Sequence, residues 1–396
     1  MQVISSKSDL MDKEKFEFLL RDFFSVRSAF TFAKGRVALY AALRALGLGP
    51  EDEVILPGYT CMVVPGAVKF LGCRPVYVDI EASSYNLNPT LLESAFSSRT
   101  RALIIQHTYG LPCYLNRILP WAVQKGISVI EDCCHAFGSR FRGQLLGTFA
   151  IASFYSGQWN KSFSTGMGGI LVIPESTEAG KFAEEIERLT ENEAYRPGWY
   201  RNLYLGAQIL AHDLLVRPGT SLRITRLYRF LSRNGLMIGS SSNDEFRCRL
   251  PERYFSLMSP CQMEKGRREM DRIEDNIASR RQNAQFYQEH LADIGLHPLQ
   301  LDSNIDPVFI CYPVRVGNKS ELLAMAERKG IELGSWFDSP LHPLQEGLEL
   351  FDYHPGQCPV SEEVSREVIN LPTHRRIGVT EREKILTFLQ KNAVRP

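Results

Sequence analysis

The chain has 396 residues, 44% of them hydrophobic and 23% charged, with a formal net charge of +1. These proportions fit a globular protein of two domains, or one large domain with a smaller companion, and the near-neutral charge gives no global sign of nucleic acid or membrane as the main partner. Nine scattered cysteines without a Cys-x-x-Cys pair, among them the adjacent Cys133 and Cys134, point to reduced thiols rather than a disulfide framework or a zinc site. The N-terminus shows no apolar signal core, and no apolar run nears the roughly 20 residues of a spanning helix, so a cytoplasmic location is expected.

Residues 1–33 read as a polar start followed by a helix, with Phe16, Leu19, Leu20 and Phe23 at helical spacing. A strong helix pattern follows over 37–46, preceded by Gly35 and Arg36 and closed by Gly47 and Gly49. A glycine and an arginine opening a helix suit an anion, because free amides and the helix dipole point outward there. Plain capping reads the same residues equally well. From residue 51 onward, apolar strands at 54–56, 76–78, 102–106 and 127–130 alternate with helical patterns at 59–70, 90–96 and 118–125. That alternation predicts an α/β fold with a largely parallel sheet.

Ligands of such sheets sit beyond the carboxyl ends of the strands. Tyr59, Asp79, His107, Tyr109, Asp132 and His135 stand at those positions. Glu131 and Asp132 directly follow an apolar strand. In an extended chain they point opposite ways, so only one can face the cleft, and a buried carboxylate needs partners. An N-cap role for Asp132 is the alternative. Farther on, the stretch SFYSGQWNKSFSTGMGG over 153–169 holds a lone lysine, Lys161, just before the apolar run 170–173. Such a lysine is a nucleophile only where its surroundings lower its proton affinity. A surface-loop lysine is the plain alternative.

The segments GRVALYAALRALGLGPEDEVILPGYT, GCRPVYVDI, EDCCHAFG and NKSFSTGMGG, followed by RREMDRIEDNIASRRQNAQFY, SPLHP and NLPTH, resemble in order and spacing the DegT/StrS-like sugar aminotransferases. These are fold-type-I enzymes that use pyridoxal 5'-phosphate (PLP). The resemblance covers about 34–175 and 250–390. It implies an α/β transferase with a mostly parallel central sheet sandwiched by helices and a smaller C-terminal α+β domain. The expected divisions are an N-terminal helical arm at 1–33, a large PLP-binding domain at 34–260 and a small domain at 261–396.

The same resemblance implies that Lys161 holds PLP as an internal aldimine and moves protons, and that Asp132 pairs with the pyridine nitrogen. His135 would lie near the ring, and Gly35 and Arg36 would receive the cofactor phosphate with a serine, Ser153 or Ser156. No metal is expected. The substrates implied are an amino donor, glutamate, and a keto-sugar linked to a nucleotide, handled by a homodimer. His107 and Tyr109 are candidates for substrate contact, as are Trp336 and His342, for which a packing role fits equally well. Four departures stand out: GQWN before Lys161 reads as extra length, and Arg36 replaces the usual threonine. Cys61 falls where a stacking ring is common, leaving Tyr59 or another ring to serve, and a partner-subunit asparagine is not apparent near Arg253. A cyclitol or other non-sugar ketone as substrate, or a non-catalytic regulatory role, are the alternatives.

The resemblance fades over an insertion at about 196–243. Residues 196–234 carry seven arginines and one acid, Asp213, interleaved with leucines and aromatics. A helical hairpin packed on the protein or its dimer partner, a membrane-surface contact and a basic lid all fit this composition, the first being preferred here. Beyond it, a long charged helix pattern runs from Cys261 to His290, then a strand signal at 307–316 and a helix at 321–329.

Overall fold

The computed structural model describes residues 7–395 apart from 217–223, 225–226, 229 and 233–236. Much of the 196–234 expectation thus lies outside the described residues. A seven-stranded sheet forms the centre: β1 (Ser28–Phe32), β2 (Glu53–Pro57), β3 (Arg74–Val78), β4 (Thr100–Gln106), β5 (Ser128–Asp132), β6 (Ala152–Gln158) and β7 (Met167–Ile173). Their order is β1-β7-β6-β5-β4-β2-β3. β6, β5, β4, β2 and β3 run parallel, while β7 is antiparallel to both β6 and β1. Both faces of the sheet are covered, which is why its strands read as apolar runs rather than alternating ones. Successive side chains still divide between two cores: Val54 and Leu56 enter one and Ile55 the other.

α1 (Lys7–Phe24) is tied to one of these cores through Phe16, Leu20 and Phe24. The strand β1 that follows escaped the sequence reading. On the other face lies α2 (Gly35–Ala45), buried from Gly35 to Leu43. The helix expected at 59–70 begins only at α3 (Val63–Lys69). Thr60 and Cys61 instead pair as a two-residue parallel strand with Leu341 and His342, and the amides of Thr60 and Met62 are claimed by the carbonyls of Pro340 and His342. Backbone groups engaged by a distant segment cannot also close a helical turn.

The longer helices that follow include α4 (Leu115–Lys125), α5 (Ala179–Asn192), α6 (Trp199–Leu215) and α7 (Pro260–Met270). The single helix expected over 261–290 is two, α7 and α8 (Ile273–His290). α8 bridges the protein, with Ile273 and Ile277 in a core of the large sheet and Ala284 and Tyr287 in that of the small domain. The small domain pairs β8 (Cys311–Arg315) with β9 (Val368–Pro372) and adds α9 (Lys319–Arg328), α10 (Pro359–Glu367) and α11 (Val379–Asn392).

Asp79, expected near the cleft, does other work. Its carboxylate accepts the amides of Val360 at 2.8 Å and Ser361 at 2.9 Å, and the Ser361 hydroxyl at 2.7 Å. It binds the first turn of α10 to the end of β3, where the free amides of a helix favour an anion.

Candidate active site

The carboxyl ends of β4, β5 and β6 open on a cavity. Glu131 and Asp132 diverge there as an extended backbone requires. Glu131 turns away and accepts the amides of Phe149 at 2.8 Å, Gly147 at 2.9 Å and Ala150 at 3.0 Å. Asp132 lines the cavity, and its Oδ1 accepts the Cys134 amide at 2.9 Å. Burial raises its carboxyl above the usual range, with the Cys134 hydrogen bonds and Lys161 opposing. Turns rather than a helix follow it, so it caps none.

His107, Tyr109 and Tyr59 are fully buried and do not line the cavity. His107 Nε2 is 2.9 Å from Glu131, and its Nδ1 accepts the Cys113 amide at 3.1 Å. These bonds also consume His107 and Glu131, which with Cys133 bring three potential metal-ligand atoms within 4.8 Å of one another. The hydroxyls of Tyr59 and Tyr109 bond to each other at 2.8 Å, and the Phe337 amide donates to Tyr59 at 3.3 Å. Both tyrosines therefore join the domains instead of presenting a ring to a ligand. The rings that do line the cavity belong to His135, Phe154 and Phe337.

His135 Nδ1 accepts the Tyr109 amide at 3.3 Å. Burial, then Lys161 and His342, push its pKa well below the ordinary value, so the imidazole is neutral at neutral pH, with its proton on Nε2. Its ring stacks on Trp336 with centroids 5.0 Å apart. The same indole covers Lys161, whose Nζ lies 4.5 Å from the ring centroid. Trp336 thus reaches the site through the lysine. His342 is set beside Cys61 by the short parallel strand, and its Nδ1 accepts the Asp338 amide at 3.2 Å. Cys61 lines the cavity; His342 does not.

Gly157 and Gln158 belong to β6 and pair in unbroken register with Gly168 and Met167 of β7, which leaves Lys161 in the connecting loop. Ser153 and Ser156 are three residues apart on one strand and face opposite sides. Ser153 donates to the Gly147 carbonyl at 2.7 Å, whereas Ser156 lines the cavity beside Gly35. Gly35 is closely packed: a Cβ there would sit 3.0 Å from both Ser156 Cβ and the Tyr155 carbonyl oxygen, which would have to give by a few tenths of an ångström.

Arg36 and a residue the sequence reading passed over, Lys34, flank that glycine on the cavity wall. Arg36 pairs with Glu245 and donates to Ser241 Oγ at 2.9 Å. Lys34 donates to the Ser240 carbonyl at 2.9 Å and lies 3.8 Å from Glu245. Burial lowers Lys34 to about 8 against the pull of Glu245. Burial opposes ionisation of Glu245, yet Arg36 and Lys34 outweigh it and hold the carboxyl at about 2. A signal for this segment was available in sequence: Ser242 and Glu245 form a capping box.

A family model of DegT/DnrJ/EryC1/StrS aminotransferases matches residues 9–210 and 252–390. The chain belongs to this family. Over 174 residues it is 37% identical to the GDP-perosamine synthase of Escherichia coli O157:H7, a match spanning 44% of this chain and 47% of that protein. Identity is 26% over 360 residues to a UDP-N-acetyl-3-dehydro-alpha-D-glucosamine 3-aminotransferase of Acidithiobacillus ferrooxidans, covering 91% of this chain and 82% of the relative. In fold it is similar to a proposed sugar aminotransferase of Streptococcus pneumoniae in its PLP form. That likeness has a TM-score of 0.76 at 18% identity and covers 98% of this chain and 96% of that one.

This family member is a PLP-dependent aminotransferase. Its cavity fits the cofactor on its own terms. One wall offers a lysine, another a buried carboxylate suited to a protonated ring nitrogen, and a third the start of α2 with Ser156 and two cations for a phosphate.

Proposed function

We propose that this aminotransferase moves an amino group from glutamate to the keto group of a nucleotide-linked sugar, as a cytoplasmic homodimer. The reading is supported by the family match, by the activities that the named relatives carry, and by one observation in the site. Lys161 and Asp132 share the cavity into which α2 opens.

When bound, PLP supplies an electron sink for the bond changes at the substrate carbon. Asp132, carboxylate-bearing and shielded from water, holds a proton on the ring nitrogen. The first turn of α2 at Gly35, with Arg36, Lys34 and Ser156, orients the phosphate end. Lys161 Nζ would hold the cofactor, and it takes and returns a proton at the substrate carbon. Trp336 excludes water above Lys161 and keeps its Nζ in place. Neutral His135, on the cavity wall, would flank the cofactor ring.

The purified protein loaded with PLP tests both parts. Lys161→Ala is expected to abolish the visible band of bound cofactor and all turnover; wild-type turnover by that variant rejects the role of Lys161. Glutamate should yield 2-oxoglutarate in a single turnover, and its failure to do so rejects the donor. If glutamate reacts but no nucleotide-linked keto-sugar accepts the amino group, the acceptor class is wrong.

A further inference from the structure

Lys34 and Arg36 stand on either side of Gly35 at the start of α2, and both line the cavity. Burying two like charges so close together costs free energy unless an anion offsets it. Glu245 is that anion. Its side chain is 5% exposed; it pairs with Arg36 and lies 3.8 Å from Lys34. Glu245 does not line the cavity itself, so it stands behind the cations and not in the place of a ligand. Among the described residues, both side-chain partners of Arg36, Glu245 and Ser241 Oγ, are met by Nη1. That leaves Nη2 and Nε for a ligand.

Glu245 is fixed in turn. Its Oε2 accepts the Ser242 amide at 2.7 Å, and its own amide donates to Ser242 Oγ at 3.3 Å, the reciprocal pair of a capping box. The same short segment offers the Ser240 carbonyl to Lys34 at 2.9 Å, and Ser240 lines the cavity. Residues 240–245 fall between the stretches that the family model matches, 9–210 and 252–390. One wall of the cavity is therefore built by a part of the chain that the family model leaves unmatched. Burial lowers Lys34 to about 8, with Glu245 opposing the fall and Arg36 and Arg201 of α6 adding to it. Cys61, Asp132, His135 and Lys161 share the cavity with it.

We propose that Glu245 is a positioning residue for the cofactor phosphate, keeping Lys34 and Arg36 charged and aimed into the cavity from behind. Segment 240–245 thereby forms a wall of the phosphate site, and the insertion that carries it takes part in cofactor binding. The proposal rests on the reading that the phosphate lies at the first turn of α2. Without the carboxylate, Lys34 gives up its proton at a lower pH and Arg36 loses the partner that fixes its guanidinium. Phosphate affinity then falls, and falls further as pH rises.

Absorbance titrations of the full-length protein with PLP, and with pyridoxal, which lacks the phosphate, test this. Glu245→Gln removes the charge but keeps the capping box, since glutamine serves at that position. It should bind PLP about tenfold more weakly near pH 8 and about twofold more weakly near pH 6, with pyridoxal affinity unchanged at both. In a Lys34→Met background the same substitution should lose this pH dependence, because no ammonium remains for Glu245 to hold. Wild-type PLP affinity in Glu245→Gln at both pH values overturns the proposal. So do equal losses for PLP and pyridoxal, which leave Glu245 a structural role only, and a pH dependence that persists without Lys34. Wild-type protein that binds PLP no more tightly than pyridoxal overturns the phosphate reading itself, and the proposal with it.

Discussion

Gly169 and Lys34 meet backbone to backbone. A Cβ on Gly169 would stand 2.1 Å from the Lys34 carbonyl oxygen and 2.5 Å from the Gly35 nitrogen. β7 is thus pressed against the first turn of α2, the turn whose amides face the cavity. Gly169→Ala must push that turn away, since neither neighbour is a flexible side chain. Equilibrium unfolding in denaturant should show a loss of about 1–3 kcal/mol, and the added stability that PLP confers should shrink with it. A wild-type midpoint with and without PLP would show that the contact is not needed.

Ser153 and Ser156 should separate cleanly. Ser156→Ala removes a hydroxyl beside Gly35 and should weaken PLP about tenfold in an absorbance titration, the worth of a hydrogen bond to a charged group. Ser153→Ala loses the bond to the Gly147 carbonyl and should cost about 1 kcal/mol of stability with unchanged PLP affinity. The reverse pattern would exchange their roles.

Glu245 confers a pH dependence of definite sign. Its carboxyl is depressed from the ordinary 4.5 to about 2 despite burial, because Arg36 and Lys34 are adjacent. A depressed folded-state value means stability present above pH 4.5 and lost as pH falls toward about 2. The contribution is about 3 kcal/mol. Denaturant unfolding of Glu245→Gln between those limits should give a flatter profile than wild type, and an equally steep one would show that other carboxylates dominate acid unfolding.

Lys319 positions the cover over the lysine without touching the cavity. Its Nζ donates to the carbonyls of Ser365 at 2.7 Å and Phe337 at 3.0 Å, and lies 3.4 Å from Asp338. Trp336 belongs to the loop so held. Lys319→Met should lower kcat about tenfold through a misplaced indole over Lys161, with PLP affinity changed by less than about twofold. Equal losses in PLP affinity and kcat would indicate general unfolding instead.

Much of the fold was legible because its signals are local. The apolar runs of β2 to β5 and β7, the α2 pattern and the order of strands and helices each follow from residues within one short window. The opposed directions of Glu131 and Asp132 follow from strand geometry alone. β1 was missed because its strand partner is β7, well over a hundred residues away. The break between α7 and α8 leaves no proline or glycine in the sequence, and α3 starts late because the amides ahead of it are taken by the small domain.

The sequence by itself determined the α/β class, the family and the lysine, carboxylate and helix start that the cavity gathers. Only the tertiary structure placed Ser156 rather than Ser153 on the cavity wall, moved Tyr59, Tyr109 and His107 off it, and brought in Lys34 with its partner Glu245. The physical reason is reach. Backbone periodicity sets the side of a strand on which a residue stands, whereas the contents of a cavity depend on which side chains find other partners first, and those partners come from every part of the chain.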